Sequence, residues 1–105
     1  MNEERFAVAY AGGKFRMKSW GKIKIRHALK EKGVSDYSIN KALKQIEANQ
    51  YEACLDKLIS EKWTELQSEK NVFVKMRKTR DYLLQKGYES NLIQQSISSM
   101  RKRIE

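Results

Sequence analysis

Apolar residues recur at intervals of three and four along almost the whole chain, which is the spacing of one face of an α-helix. Phe6, Ala9, Tyr10 and Gly13 form the first such stripe behind Asn2, whose side chain suits a helix N-cap. A second helix is predicted to begin near Ser19, to turn Ile25, Ala28 and Leu29 inward, and to end at Gly33, where a left-handed residue stops a helix at little cost. Ser35 then supplies a cap for a third, with Ile39, Ala42, Leu43 and Ile46 on one side.

The same order runs again. Cys54, Leu55, Leu58, Ile59, Trp63 and Leu66 give a fourth stripe. Val72, Phe73, Met76, Thr79, Tyr82 and Leu83 give a fifth that ends at Gly87, and Ile93, Ile97, Met100 and Ile104 follow behind a cap at Ser90. Leu29, Lys32 and Gly33 recur as Leu83, Lys86 and Gly87, 54 residues on, and Ile39 and Leu43 recur as Ile93 and Ile97 at the same distance. Shared helix stops at one fixed offset mark tandem units. The predicted fold is all-α, with tandem three-helix repeats of about six helices over 1–48 and 49–105 in an elongated, right-handed or curved array. Neither unit buries enough apolar surface to be secure alone, so the two are expected to share one small domain.

Composition sharpens this picture. The chain contains no proline, as helix interiors demand. Gly12 and Gly13 fall within the first stripe and are expected to bend that helix or bring a neighbour close, since each costs about 1 kcal/mol relative to alanine. Neither belongs to a phosphate-binding loop, because the first glycine and the hydroxyl residue of that motif are not in place. No apolar run approaches the roughly 20 residues of a bilayer span, and the charged start Met1-Asn2-Glu3-Glu4-Arg5 lacks the apolar stretch of a signal peptide, so the expected location is the cytoplasm. Cys54 and His27, the one cysteine and the one histidine, do not suffice for a zinc site. Cys54 reads as a small apolar core residue, His27 as a surface or packing residue, and Trp63 as core. Trp20, at a helix start, reads as a packing residue with an interface anchor as the alternative. No nucleophile and base are paired, so neither catalysis nor a cofactor is expected.

Charge points to a partner instead. With 22 Lys and Arg against 13 Asp and Glu, the net charge of +9 sets a positive field over a small surface. Between residues 14 and 32, eight cations face one acid, Glu31. Lys14, Arg16, Lys18, Lys22, Lys24 and Arg26 are the leading candidates for partner or DNA contact, followed by Lys75, Arg77, Lys78 and Arg80 on the matching helix of the second unit. Two outward ridges of this kind suit a phosphate backbone or an acidic protein groove. A helix-turn-helix is a further option around Gly33-Val34-Ser35, but most of the charge lies on the second helix and not on the third, where base-reading groups belong.

Lys18-Ser19-Trp20-Gly21-Lys22-Ile23-Lys24-Ile25-Arg26-His27-Ala28-Leu29-Lys30-Glu31-Lys32-Gly33-Val34 resembles the RecX family, in which a tryptophan-glycine or similar pair opens a basic helix that a lysine-glycine pair closes. Arg5-Phe6-Ala7 with Tyr10, Lys14 and Phe15 is similar to the family's preceding helix, and residues after 48 resemble its final trio. Family members usually begin with another trio, so the chain is similar to the second and third units, as expected for a fragment of a longer RecX-like protein. Gly12 and Gly13 depart from the better helix formers usual there. The resemblance implies a regulator that binds RecA or its DNA filament and restrains filament growth, ATP hydrolysis, strand exchange and co-protease activity. Direct binding to single- or double-stranded DNA without RecA is the alternative.

Overall fold

A computed structural model describes residues 2–104, and among them every regular element is an α-helix. The helices are α1 (Glu3–Lys18), α2 (Lys22–Glu31), α3 (Asp36–Lys44), α4 (Ala48–Glu65), α5 (Val72–Lys86) and α6 (Ser90–Ile104). Helices α1 to α3 pack together, as do α4 to α6, in a body measuring 52 × 24 × 21 Å. This is the expected pair of three-helix units, drawn out along one axis.

Local chemistry explains most boundaries. The Asn2 side chain accepts the Arg5 amide, Ser35 accepts from Ser38, and Asn71 accepts from Phe73 and Val74, each satisfying donors that a helix start leaves free. Gly33 and Gly87, the two repeat stops, both take positive φ, 79° and 96°. The units also agree in what they bury: Ile25 and Thr79, Leu29 and Leu83, Val34 and Tyr88, Ile39 and Ile93, and Leu43 and Ile97 are core pairs at the repeat offset. Thr79 stands where the first unit has Ile25, and its buried hydroxyl is satisfied by donating to the Lys75 carbonyl at 2.9 Å.

Several expectations are corrected. The inward face of α1 is Ala7, Ala11 and Phe15, while Phe6 and Ala9 are exposed and Tyr10 and Gly13 half-buried. Two alanines one turn apart let α1 lie close against α3, and that close fit selects the face over the larger side chains one position away. Gly12 and Gly13 do not interrupt the helix: a Cβ at 13 would meet nothing, and one at 12 would meet only the mobile tip of Arg16. Ser19 does not open α2 but closes α1, at φ 56°. Ser90 lies inside α6 as its first residue instead of capping it. Val72 and Phe73 face solvent at the start of α5, where the helix extends past its neighbours' cover. Cys54 and Trp63 are half-buried at the edge of the core, and the side chain of Ile104 lies outside the described residues.

A carboxylate staples the first unit. Glu3 on α1 accepts from the Ser35 amide at 3.0 Å, the Ser35 hydroxyl at 2.8 Å and the Ser38 hydroxyl at 2.7 Å, at the positive end of α3. These bonds, that from Ser38 first, hold its carboxyl below the ordinary value of 4.5. A carboxyl lowered on folding stabilises above its unfolded value, and that contribution disappears as pH falls through the folded one. Glu3→Gln is therefore expected to melt below the wild type at neutral pH, with the gap closing in acid once the wild-type carboxyl is protonated. Thermal melts at both pH values check this; a gap that persists in acid would mean that the charge is not the cause.

Candidate partner-binding surface

The site begins at the joint between units, because the joint decides which way the cations point. The C-terminal end of α5 abuts the N-terminal end of α2, and each supplies what the other lacks. Gly21 donates to the Lys86 carbonyl at 2.8 Å and Ile23 to the Gly87 carbonyl at 2.9 Å, so free amides of one helix start meet free carbonyls of one helix end. The Lys22 amide donates to the Tyr51 hydroxyl at 2.9 Å, which in turn donates to the Glu89 carboxylate. Tyr88, fully buried, donates to the Ser19 carbonyl at 2.9 Å. Its single proton is thereby committed, so the Cys54 thiol, 3.4 Å away, is the donor in their contact. Burial, and for Tyr51 next the bond to the Glu89 carboxylate, pushes both phenols well above their ordinary value and keeps them protonated. The rings of Phe15, Tyr51 and Tyr88 follow one another across the joint, with centroids 5.9 and 5.1 Å apart.

Around this joint the basic residues of α1 and α2 divide between faces. At 100° per residue, Lys24 lies about 200° from both Lys22 and Arg26, so the three do not form one ridge. Lys14 and Lys24 come together at Trp20, their ammonium groups 5.0 and 4.8 Å from its ring. Lys14 also lies 5.4 Å from Tyr10, and Lys32, just past the end of α2, lies 5.5 Å from that ring. Trp20 thus serves as a half-buried platform for positive charge. Each such contact is worth about 0.5 to 1 kcal/mol at exposed sites, enough to fix a lysine without neutralising it.

Lys22 and Arg26 belong to another face. They line a groove with Ile23, Asn40, Lys44 and Glu89, and the Arg26 guanidinium is oriented by Asn40 at 2.7 Å. Lys22 lies 4.8 Å from the Tyr51 ring. Arg16 faces the gap between α1 and α4, beside Ser19, Lys57 and Glu61. Lys18 is exposed at the end of α1, and its carbonyl takes the Lys86 ammonium at 3.0 Å.

In the second unit Lys75 sits 4.3 Å from the Trp63 ring, and Lys78 pairs loosely with Glu69 at 4.0 Å. Arg77 and Arg80 are exposed. Sequence reasoning missed Lys32 and Lys44 as members of these faces, and Tyr10 and Trp20 as the rings that arrange them. The signal for Lys44 was its position one turn after Asn40; Lys32, about 80° round the helix from Lys24, had none.

The charge is largely uncompensated. Among the described residues, none of Lys14, Arg16, Lys18, Lys22, Lys24 and Arg26 forms an ion pair, while Lys30, Lys41, Lys62 and Lys78 do. No acid stands in the first turn of α2, where the helix end is itself positive and a carboxylate would stabilise it. What the arrangement can do chemically is attract and hold anionic surfaces. No group of His, Cys, Asp and Glu among the described residues is placed to hold a metal ion, and no described helix is long and apolar enough to cross a membrane.

No curated protein and no solved structure matches the chain. Residues 2–43, which take in nearly all of α1 to α3, match the family model for the second three-helix domain of RecX, and in that unit the chain resembles the RecX family.

Proposed function

We propose that the protein is a regulator that binds RecA or its nucleoprotein filament and restrains the recombinase, ATPase and co-protease activities of RecA. The observation that carries this reading is the match of the first unit to a domain of RecX, a regulatory family, at the unit where the run of cations from Lys14 to Arg26 forms no ion pair among the described residues. The shape supports it: a 52 Å body of two joined units can present separate contacts to neighbouring filament subunits, and linked contacts raise avidity without any single strong one. Inhibition then follows from occupancy, with no chemical step.

Binding to bare DNA is the competing reading, supported by the same unpaired cations, and one assay separates them. Substoichiometric protein added to RecA on single-stranded DNA is expected to slow ATP hydrolysis and to shorten preformed filaments. Suppression that requires enough protein to coat the DNA, and that disappears steeply with salt in parallel with binding to bare DNA, would favour sequestration and sink the RecA reading.

A further inference from the structure

From the outer flank of α5, we infer that the second unit docks an acidic amphipathic helix of a partner protein; this goes beyond the RecA reading and stands or falls separately from it. Phe73, Arg77, Arg80 and Leu84 recur at helical spacing and share one flank of α5. Phe73 is 79% exposed and Leu84 43%, so two large apolar side chains bracket two arginines in open solvent.

Comparison with the first unit shows what this flank lacks. At the repeat offset Arg80 corresponds to Arg26 and Leu84 to Lys30. Those two cations are occupied by their own third helix: Arg26 binds Asn40 at 2.7 Å and Lys30 pairs with Asp36 at 2.9 Å. In the second unit the position of Asp36 is Ser90, and the position of Lys30 has become a leucine. The ion pair is thus lost as a whole, cation and acid together, and an exposed leucine stands in its place, while Gln94, at the position of Asn40, forms no hydrogen bond with Arg80 among the described residues. Asp81, one turn beyond Arg77, forms no ion pair with it, nor does any other described residue with Arg77 or Arg80.

A matching surface carries carboxylates between two apolar side chains, about 16 Å apart along a helix axis for positions eleven residues apart. Arginine prefers carboxylates in bidentate geometry, and removing Phe73 and Leu84 from water adds an attraction that does not screen with salt. A nucleic-acid backbone would satisfy the arginines but leave Leu84 without a role, so the flank favours protein.

The probe is a synthetic helical peptide of about 20 residues carrying leucine and glutamate on one face, titrated by fluorescence anisotropy against the full chain. Saturable binding is expected, weakened about tenfold or more by Arg77→Glu with Arg80→Glu, and again by Phe73→Ser with Leu84→Ser, at unchanged melting temperature. The same peptide with glutamine in place of glutamate should bind more weakly. Absence of saturable binding overturns the inference. So does indifference to the Phe73 and Leu84 changes, or displacement of the peptide by oligothymidylate that binds more tightly through the same arginines. Assembly of the chain with itself through this flank, seen as concentration-dependent mass loss in the Phe73→Ser variant, would also overturn it.

Discussion

Gly87→Ala is expected to cost about 3 kcal/mol or more and to pull the two units apart, whereas Gly33→Ala, at the equivalent stop of the first unit, should cost only about 1 kcal/mol. Both glycines have positive φ, so both substitutions pay the left-handed strain of an L-residue. They differ in the space around them. A Cβ at Gly33 would meet nothing within 4 Å, but one at Gly87 would lie 2.3 Å from the Lys24 Cβ and 2.6 Å from its backbone nitrogen. Backbone cannot move aside as a side-chain tip can. Gly21→Ala isolates the steric part, since φ there is −78° and carries no strain, yet its Cβ would lie 2.3 Å from the Gly87 carbonyl oxygen. Relief in either case requires α2 and α5 to separate, breaking the Gly21–Lys86 and Ile23–Gly87 hydrogen bonds and loosening the Tyr51 and Tyr88 contacts. Urea or thermal unfolding of the three variants checks this, with roughly 4 to 8 °C expected per kcal/mol for a domain of this size. Equal losses for Gly33→Ala and Gly87→Ala would show that the joint does not bind the units together.

The helical part of this architecture was legible because periodicity and stops are local. Gly33, Gly87 and the caps at Asn2 and Ser35 act on their own neighbours, and the core pairs from Leu29 and Leu83 to Leu43 and Ile97 repeat at a fixed offset that needs no tertiary knowledge. What failed was decided by neighbours distant in sequence. The face of α1 is set by how closely α3 can approach Ala7 and Ala11, and the run around Ser19 is set by a joint with Lys86 and Gly87 far along the chain. Gly21 illustrates the point: the resemblance marks it as half of a pair that opens a basic helix, but the close approach that requires a glycine there comes from Gly87. The basic residues were legible as a composition but not as a surface. Alternation of Lys22, Lys24 and Arg26 along a helix sends them to opposite sides, and their assignment to faces depended on Trp20, Tyr10 and Asn40.

That division makes charge reversal informative when done in pairs. With the RecA filament as the proposed partner, Lys14→Glu with Lys24→Glu is expected to weaken that binding by about tenfold or more at ~0.1 M salt, and to raise the amount of protein needed to slow ATP hydrolysis accordingly. Lys22→Glu with Arg26→Glu should have the smaller effect. The two pairs change formal charge equally, so long-range attraction falls by the same amount in both. What separates them is local. Lys14 and Lys24 stand unopposed over the Trp20 ring, with Lys32 beside them, and reversing both leaves the aromatic platform flanked by carboxylates. Lys22 and Arg26 share their groove with Glu89, which already offsets part of the positive potential, and Arg26 is partly engaged by Asn40. Trp20→Phe, which keeps an apolar ring but weakens its attraction for the ammonium groups, should produce an intermediate loss without lowering stability by more than about 1 kcal/mol. Equilibrium binding to preformed filaments across a salt series reads all three variants. If the Lys22 and Arg26 pair proves the more damaging, the groove beside α3 is the contact and the Trp20 face is only its scaffold.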